Sequence, residues 1–197
     1  ISTIIIDLAG DAKNLTKACS GADVLTLSGV NTYTGTTKVN TGELRLNPSG
    51  NNTLSGAFTF NGGTLATTGI AASRAVTYAS INLADNSTLA LASGTAHTLT
   101  FTSLGTFTSG KTLTVTGWSG ASYATGTTSG TGGKFFIGSS ASLSAAQLAQ
   151  IRFFNSTTSS YFPATQLSTG EIVPTTLLEV TNPGNQLAGV GFSVTVT

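Results

Sequence analysis

The chain has 197 residues, of which only 8 % are charged, and its net charge is +1; a typical soluble domain is about one-quarter charged. The eight basic residues are scattered from Lys13 to Arg152, so no patch exists to neutralise phosphates and a nucleic-acid partner is excluded. The longest apolar runs, such as Ile4 to Ile6, are far too short for a membrane-crossing helix, so direct membrane insertion is not expected.

Thr (37) and Ser (23) dominate the composition, with 24 Gly, yet 39 % of residues are hydrophobic. That apolar share argues against disorder. Thr, Val, Ile and Phe favour strands, and Gly, Asn and Ser favour turns, so the balance reads as all-β. No charged-then-apolar signal segment opens the chain. For an exported protein this implies a start after processing, or an internal piece.

In chain order, Asp7, Asp11 and Asp23 come first. They are the one loose group of acids and the candidate ligands for calcium; the plain alternative is solvated turn or capping residues. Cys19 is the sole cysteine, so no internal disulfide can form, and it is expected as a small buried side chain near the N-terminal cap. Apolar-x-apolar units follow: Leu25-Thr-Leu27, Leu44-Arg-Leu46, Phe58-Thr-Phe60, Ile81-Asn-Leu83, Leu89-Ala-Leu91, Leu99-Thr-Phe101 and Leu113-Thr-Val115. Alternation puts each apolar pair on one face of a strand. Turn clusters such as Asn47-Pro-Ser-Gly50 and Asp85-Asn-Ser87 separate the units. From Leu25 to Leu44, Leu65, Leu89 and Leu113 the steps are 19, 21, 24 and 24 residues. A period of about 20–25 residues suits one coil of a β-helix. Strands every 8–12 residues in an antiparallel sandwich are the rival reading.

His97 lies among Thr and Ala with no carboxylate within ten residues, which suggests a surface or turn residue rather than a catalytic or metal-binding one. Residues 119–133 form a polar, Gly-rich loop, and Trp118 and Tyr123 beside it are the candidate ligand-binding aromatics, able to stack on sugar or to pack the end of the coils. Lys134 to Ile137 reads as a strand. Residues 142–152 read as a helix whose Leu143, Leu148 and Ile151 share a face. Such a helix would cover the open end of a stack of coils. Beyond Pro174, residues 175–180 and 192–196 alternate as two strands, too few to make a core.

The 22 residues from Leu25-Thr-Leu-Ser-Gly-Val-Asn-Thr-Tyr-Thr-Gly to Glu43-Leu-Arg-Leu46 resemble the autotransporter-associated β-strand repeat, with its pattern LTLSGxNTYTGxTxVxxGxL. Residues 112–174 are similar to a module that ends repeat-bearing surface proteins of Bacteroidota and Verrucomicrobia. Residues 175–197 resemble the first strands of a bacterial Ig-like domain. The resemblance implies a right-handed parallel β-helix (solenoid) over residues 1–118. A loop, short capping helix and strand would follow over 119–174, and an incomplete Ig-like β-sandwich over 175–197. It implies a non-catalytic stalk or adhesin segment of a large secreted protein, extracellular on the bacterial cell surface, with no cofactor. Expected partners are other domains of the same polypeptide, surface or secretion-complex proteins, or glycans. A carbohydrate-binding module is the alternative function. Ice binding is a third, because Thr-x-Thr pairs such as Thr98/Thr100 and Thr112/Thr114 recur.

Overall fold

Alternating residues with a turn every few positions cannot bury a face alone, so the chain must stack its strands on one another. A computed structural model shows how, describing residues 4–8, 11–19, 22–120, 128–139 and 142–175. The strands are β1 (Leu15–Lys17), β2 (Val24–Leu27), β3 (Thr37–Val39), β4 (Glu43–Leu46), β5 (Asn52–Asn61), β6 (Thr64–Ala66), β7 (Ala75–Asp85), β8 (Ser87–Ala90), β9 (His97–Phe107), β10 (Leu113–Thr116), β11 (Gly133–Ile137), β12 (Ile151–Asn155), β13 (Ser160–Gln166) and β14 (Ile172–Pro174). Odd strands β1 to β11 build a six-stranded parallel sheet. Even strands β2 to β12 build a second parallel sheet, extended by antiparallel β13 and β14. The chain winds from one sheet to the other as a β-solenoid of about four turns. Parallel neighbours rule out the antiparallel sandwich for these strands.

Between the sheets, side chains stack in straight rows. Leu25, Leu44, Leu65, Leu89, Val115 and Phe153 are successive partners in the even sheet. Tyr78, Phe101 and Ile137 do the same in the odd sheet. Leu44, Leu65, Leu89, Val115 and Phe153 have no exposed surface. Each fully buried Leu contributes about 1.5–3 kcal/mol. Rings continue the packing along the axis: Phe58 lies 5.1 Å from Tyr78, Tyr78 5.9 Å from Phe101, and Phe101 6.2 Å from Phe135. In the row at Leu89 the partner is Val115, whereas Leu113 pairs with Ser87, a displacement of two residues from the sequence-based alignment of Leu89 with Leu113.

Corners are tied by asparagine. The side-chain carbonyls of Asn14, Asn51, Asn82 and Asn86 accept from the backbone N–H of Thr36, Ala75, Thr106 and Thr112, each one coil on, at 2.8–2.9 Å. Three of these bonds satisfy amides where the chain enters a strand, and that of Asn82, within β7, satisfies one within β9. Two glycines sit one above the other at another corner. A Cβ on Gly35 would strike the Lys13 carbonyl, and one on Gly56 the Gly35 carbonyl.

The expected eleven-residue helix is a single short turn, α1 (Ala145–Leu148), closed by a capping box between Ser144 and Gln147. It lies within the connection from β11 to β12. Ile151 and Arg152 are not helical: Ile151 pairs with Leu113 and Arg152 with Thr114, so the solenoid resumes there. The last coil of the even sheet is bordered by the hairpin of β12 and β13 and then by β14. Pro174 belongs to β14, and the Thr175 amide still donates to the Pro163 carbonyl at 2.9 Å. Apart from Thr175, the anticipated Ig-like strands lie outside the described residues.

Candidate functional site

Of the two roles open to Asp7, Asp11 and Asp23, calcium ligation and capping of turns, the contacts of Asp7 fit capping. The Asp7 carboxylate accepts from the Lys13 N–H (2.7 Å), the Thr34 N–H (2.9 Å) and the Thr34 hydroxyl (2.5 Å). The Thr34 hydroxyl first, then the Lys13 amide, hold Asp7 below the usual carboxylate range. Asp11 pairs with the Lys13 ammonium. Asp23 is exposed at the entry to β2, where its carbonyl accepts from the Glu43 N–H at 3.0 Å. Among the described residues no group of three or more His, Cys, Asp or Glu side chains could hold a metal ion. Asp7 is instead a cap that ties the first segment to the Thr34 corner. Cys19 is exposed rather than buried. Its carbonyl, not its thiol, is engaged, accepting from the Thr41 hydroxyl at 2.7 Å.

Trp118 is buried at 4 % exposure, its ring edge-on to Phe153 at 6.2 Å. It packs the interior of the last coil and offers no face to a sugar. Tyr123 lies outside the described residues. His97 is likewise buried, at 3 % exposure, not a surface residue. Its Nδ1–H donates to the Thr95 carbonyl at 2.8 Å, which leaves Nε2 as a buried acceptor with no partner. Removal from water pushes the imidazole pKa down, and the Thr95 bond opposes this only in part. A Cβ on Gly133, the neighbour of His97 in the next coil, would strike the ring. The signal for burial was present in sequence: His97 shares its parity with Leu99 and Phe101, both core residues.

Glu171 is a residue that composition gave no reason to single out. Its carboxylate is buried, accepting from the Gly130 N–H at 2.9 Å and the Ser129 hydroxyl at 2.6 Å. It fastens the stretch after Trp118 to the turn before β14. Ser129, Lys134, Phe136 and the turn at 167–169 border a cleft of about 390 Å³ beside it.

The Thr-x-Thr pairs do not make a two-column array. Thr98 is flanked by Ala75 and Lys134, and Thr100 by Thr77 and Phe136. Thr114 is flanked by Thr88 and Arg152, while Thr116 pairs with Ala90.

One outward row does extend through several coils. Glu43, Thr64, Thr88, Thr114 and Arg152 are consecutive partners on the solvent side of the even sheet. The groove along this row consists of two neighbouring clefts, of about 360 and 300 Å³, one beside Glu43 and Thr64 and the other beside Thr88, Thr114 and Arg152, with Gly62 bordering both. Its wall is made of the turns at Gly42, Gly62 and Gly110, all three with positive φ, of 67°, 113° and 76°. Glu43 is neutralised by Arg45 at 2.7 Å. At the far end the Arg152 guanidinium lies 4.2 Å from the Tyr161 ring centroid, and its Nε–H donates to the Thr114 hydroxyl at 3.1 Å.

Compared with known families, residues 20–46 and 41–66 match the model of the passenger-associated-transport-repeat. The two matched stretches span β2 to β6, one coil and its successor. No curated protein and no solved structure matches the chain. The likeness is to a repeat associated with passenger transport, and it covers residues 20–66 alone.

The repeat's residues explain themselves in the fold. Leu27, Leu44 and Leu46 are core, and Asn31 is buried with its side-chain carbonyl accepting from the Ile5 N–H at 2.9 Å. Tyr33 is buried with its hydroxyl 2.7 Å from that of Thr37. Gly42 adopts the positive φ of the turn into β4.

Proposed function

We propose that the chain is a non-catalytic structural segment, a stalk or adhesin portion, of a large exported bacterial surface protein. The observation that carries this reading is the use made of the matched repeat: its characteristic residues build and stack coils rather than line a reaction centre. The titratable groups support it. Glu43 and Asp85 are in ion pairs with Arg45 and Lys111, Asp7 caps a corner, and Glu171 fastens a loop. Rows of hydrophobic side chains continuous from coil to coil suit a load carried along the axis.

Single-molecule extension tests the proposal. Coils of 19 to 26 residues, read from the Leu25 to Val115 row, should yield in steps of about 65–90 Å at roughly 3.4 Å per residue. Stepwise resistance of this length, with no product released from a polysaccharide panel, is the expected result. Yielding without resistance, or turnover lost on changing one buried acid such as Glu171→Gln, would overturn it.

A further inference from the structure

We propose that the groove along Thr64, Thr88 and Thr114 binds an extended oligosaccharide that carries a carboxylate, laid parallel to the solenoid axis with its acidic group at Arg152. The groove is a built feature of the coils. Its row is in unbroken register over five strands, from Glu43 to Arg152. Four steps of about 4.8 Å give a length near 19 Å, suited to a linear ligand of several units rather than to a compact metabolite.

Its chemistry selects the ligand. Backbone N–H and C=O groups of the floor are committed to the parallel ladders, so an added peptide strand finds no edge to pair with. What the floor offers is hydroxyls, and among the described residues those of Thr64 and Thr88 have no hydrogen-bond partner. Hydroxyls at a regular spacing exchange hydrogen bonds with a polyhydroxylated chain as both donors and acceptors. The glycine turns leave the wall low enough for a sugar ring to lie against the row.

Charge sets the polarity. Glu43 is paired with Arg45 at one end, and Lys111 at the rim is paired with Asp85. Arg152 has no carboxylate partner among the described residues. It is held in place by Tyr161 beneath it and by Thr114, with donors of the guanidinium fork left over for an anion.

Titration calorimetry of the whole chain with a hexagalacturonate, a hyaluronan hexasaccharide, a neutral cellohexaose and a hexaglutamate peptide tests the proposal. At least one acidic sugar is expected to bind. Arg152→Gln and Thr88→Val are each expected to weaken that binding about tenfold, and raised salt should weaken it too. Thr100→Val, on the opposite sheet, is the control and should leave affinity unchanged. Thermal melting of each variant shows that the fold is kept. Absence of binding by both acidic sugars, equal binding of cellohexaose or hexaglutamate, or affinity unmoved by the two groove variants would each overturn it. None of these outcomes touches the scaffold reading, which needs no ligand.

Discussion

The fold opposes protonation of His97. Its folded-state pKa lies below the ordinary imidazole value because the ring is buried beside Gly133 with Nε2 unpartnered. The unfolded chain therefore takes up a proton first as pH falls. Stability is full above about pH 6.5 and declines below it, through the window between the unfolded and folded pKa values. Tyr33 and Tyr78 act at the other limit. Burial raises both phenols, Tyr78 strongly, so stability should decline again as pH rises above about 10. Thermal melting between pH 5 and 11 should trace a plateau with both shoulders, and His97→Asn should flatten the acidic one. An unchanged acidic shoulder in that variant would assign it to other groups.

Glycines give a second comparison at this scale. Gly56 faces the Gly35 carbonyl of the coil before it, while nothing lies within 4 Å of a Cβ at Gly94. Gly56→Ala should cost about 1–3 kcal/mol through forced separation of the coils, and Gly94→Ala should stay within about 0.5 kcal/mol, read from denaturant midpoints. Leu44→Asp places a carboxylate at a site with no exposed surface. It should cost more than the 2–5 kcal/mol of a Leu-to-Ala change, unfolding at least its own coil, as tryptic digestion would show.

At the scale of elements, the apolar-x-apolar units were legible because strand alternation survives any stacking. Leu44-Arg-Leu46 and Leu99-Thr-Phe101 face inward as their pattern demands. Register was less legible. A slip of two residues keeps every side chain on its face, so the pattern could not tell whether Leu113 or Val115 meets Leu89. The structure pairs Val115 with Leu89. The helical pattern over 142–152 runs past the helix for a related reason. Leu143, Leu148 and Ile151 fit a helical face, but the Gln150 carbonyl accepts from the Leu113 N–H at 2.8 Å and draws Ile151 into the ladder. What remains of α1 depends on its cap, so Ser144→Ala should lower stability by about 0.5–2 kcal/mol, measurable in the melting midpoint.

The site was less readable than the fold. Trp118, between Gly117 and Ser119, has the neighbours of a loop residue, and only closure of the last coil onto Phe153 buries it. Glu171 is held by groups 41 and 42 residues away. The Thr row of the groove draws one residue from each coil, at intervals that vary with turn length. No local pattern reveals such a row until the register is known.

Across the whole molecule, successive coils stack in parallel, one strand spacing apart, along a single axis. Thr26, Arg45, Ala66, Ala90 and Thr116 are consecutive partners on the outer face of the even sheet. Four spacings of about 4.8 Å separate the first from the last. Pulsed electron spin resonance on Thr26→Cys/Thr116→Cys, labelled in a Cys19→Ser background, measures that separation directly. A single distribution centred near 19 Å is the predicted result. A distribution centred well beyond it, or two populations, would contradict the stacked-coil architecture.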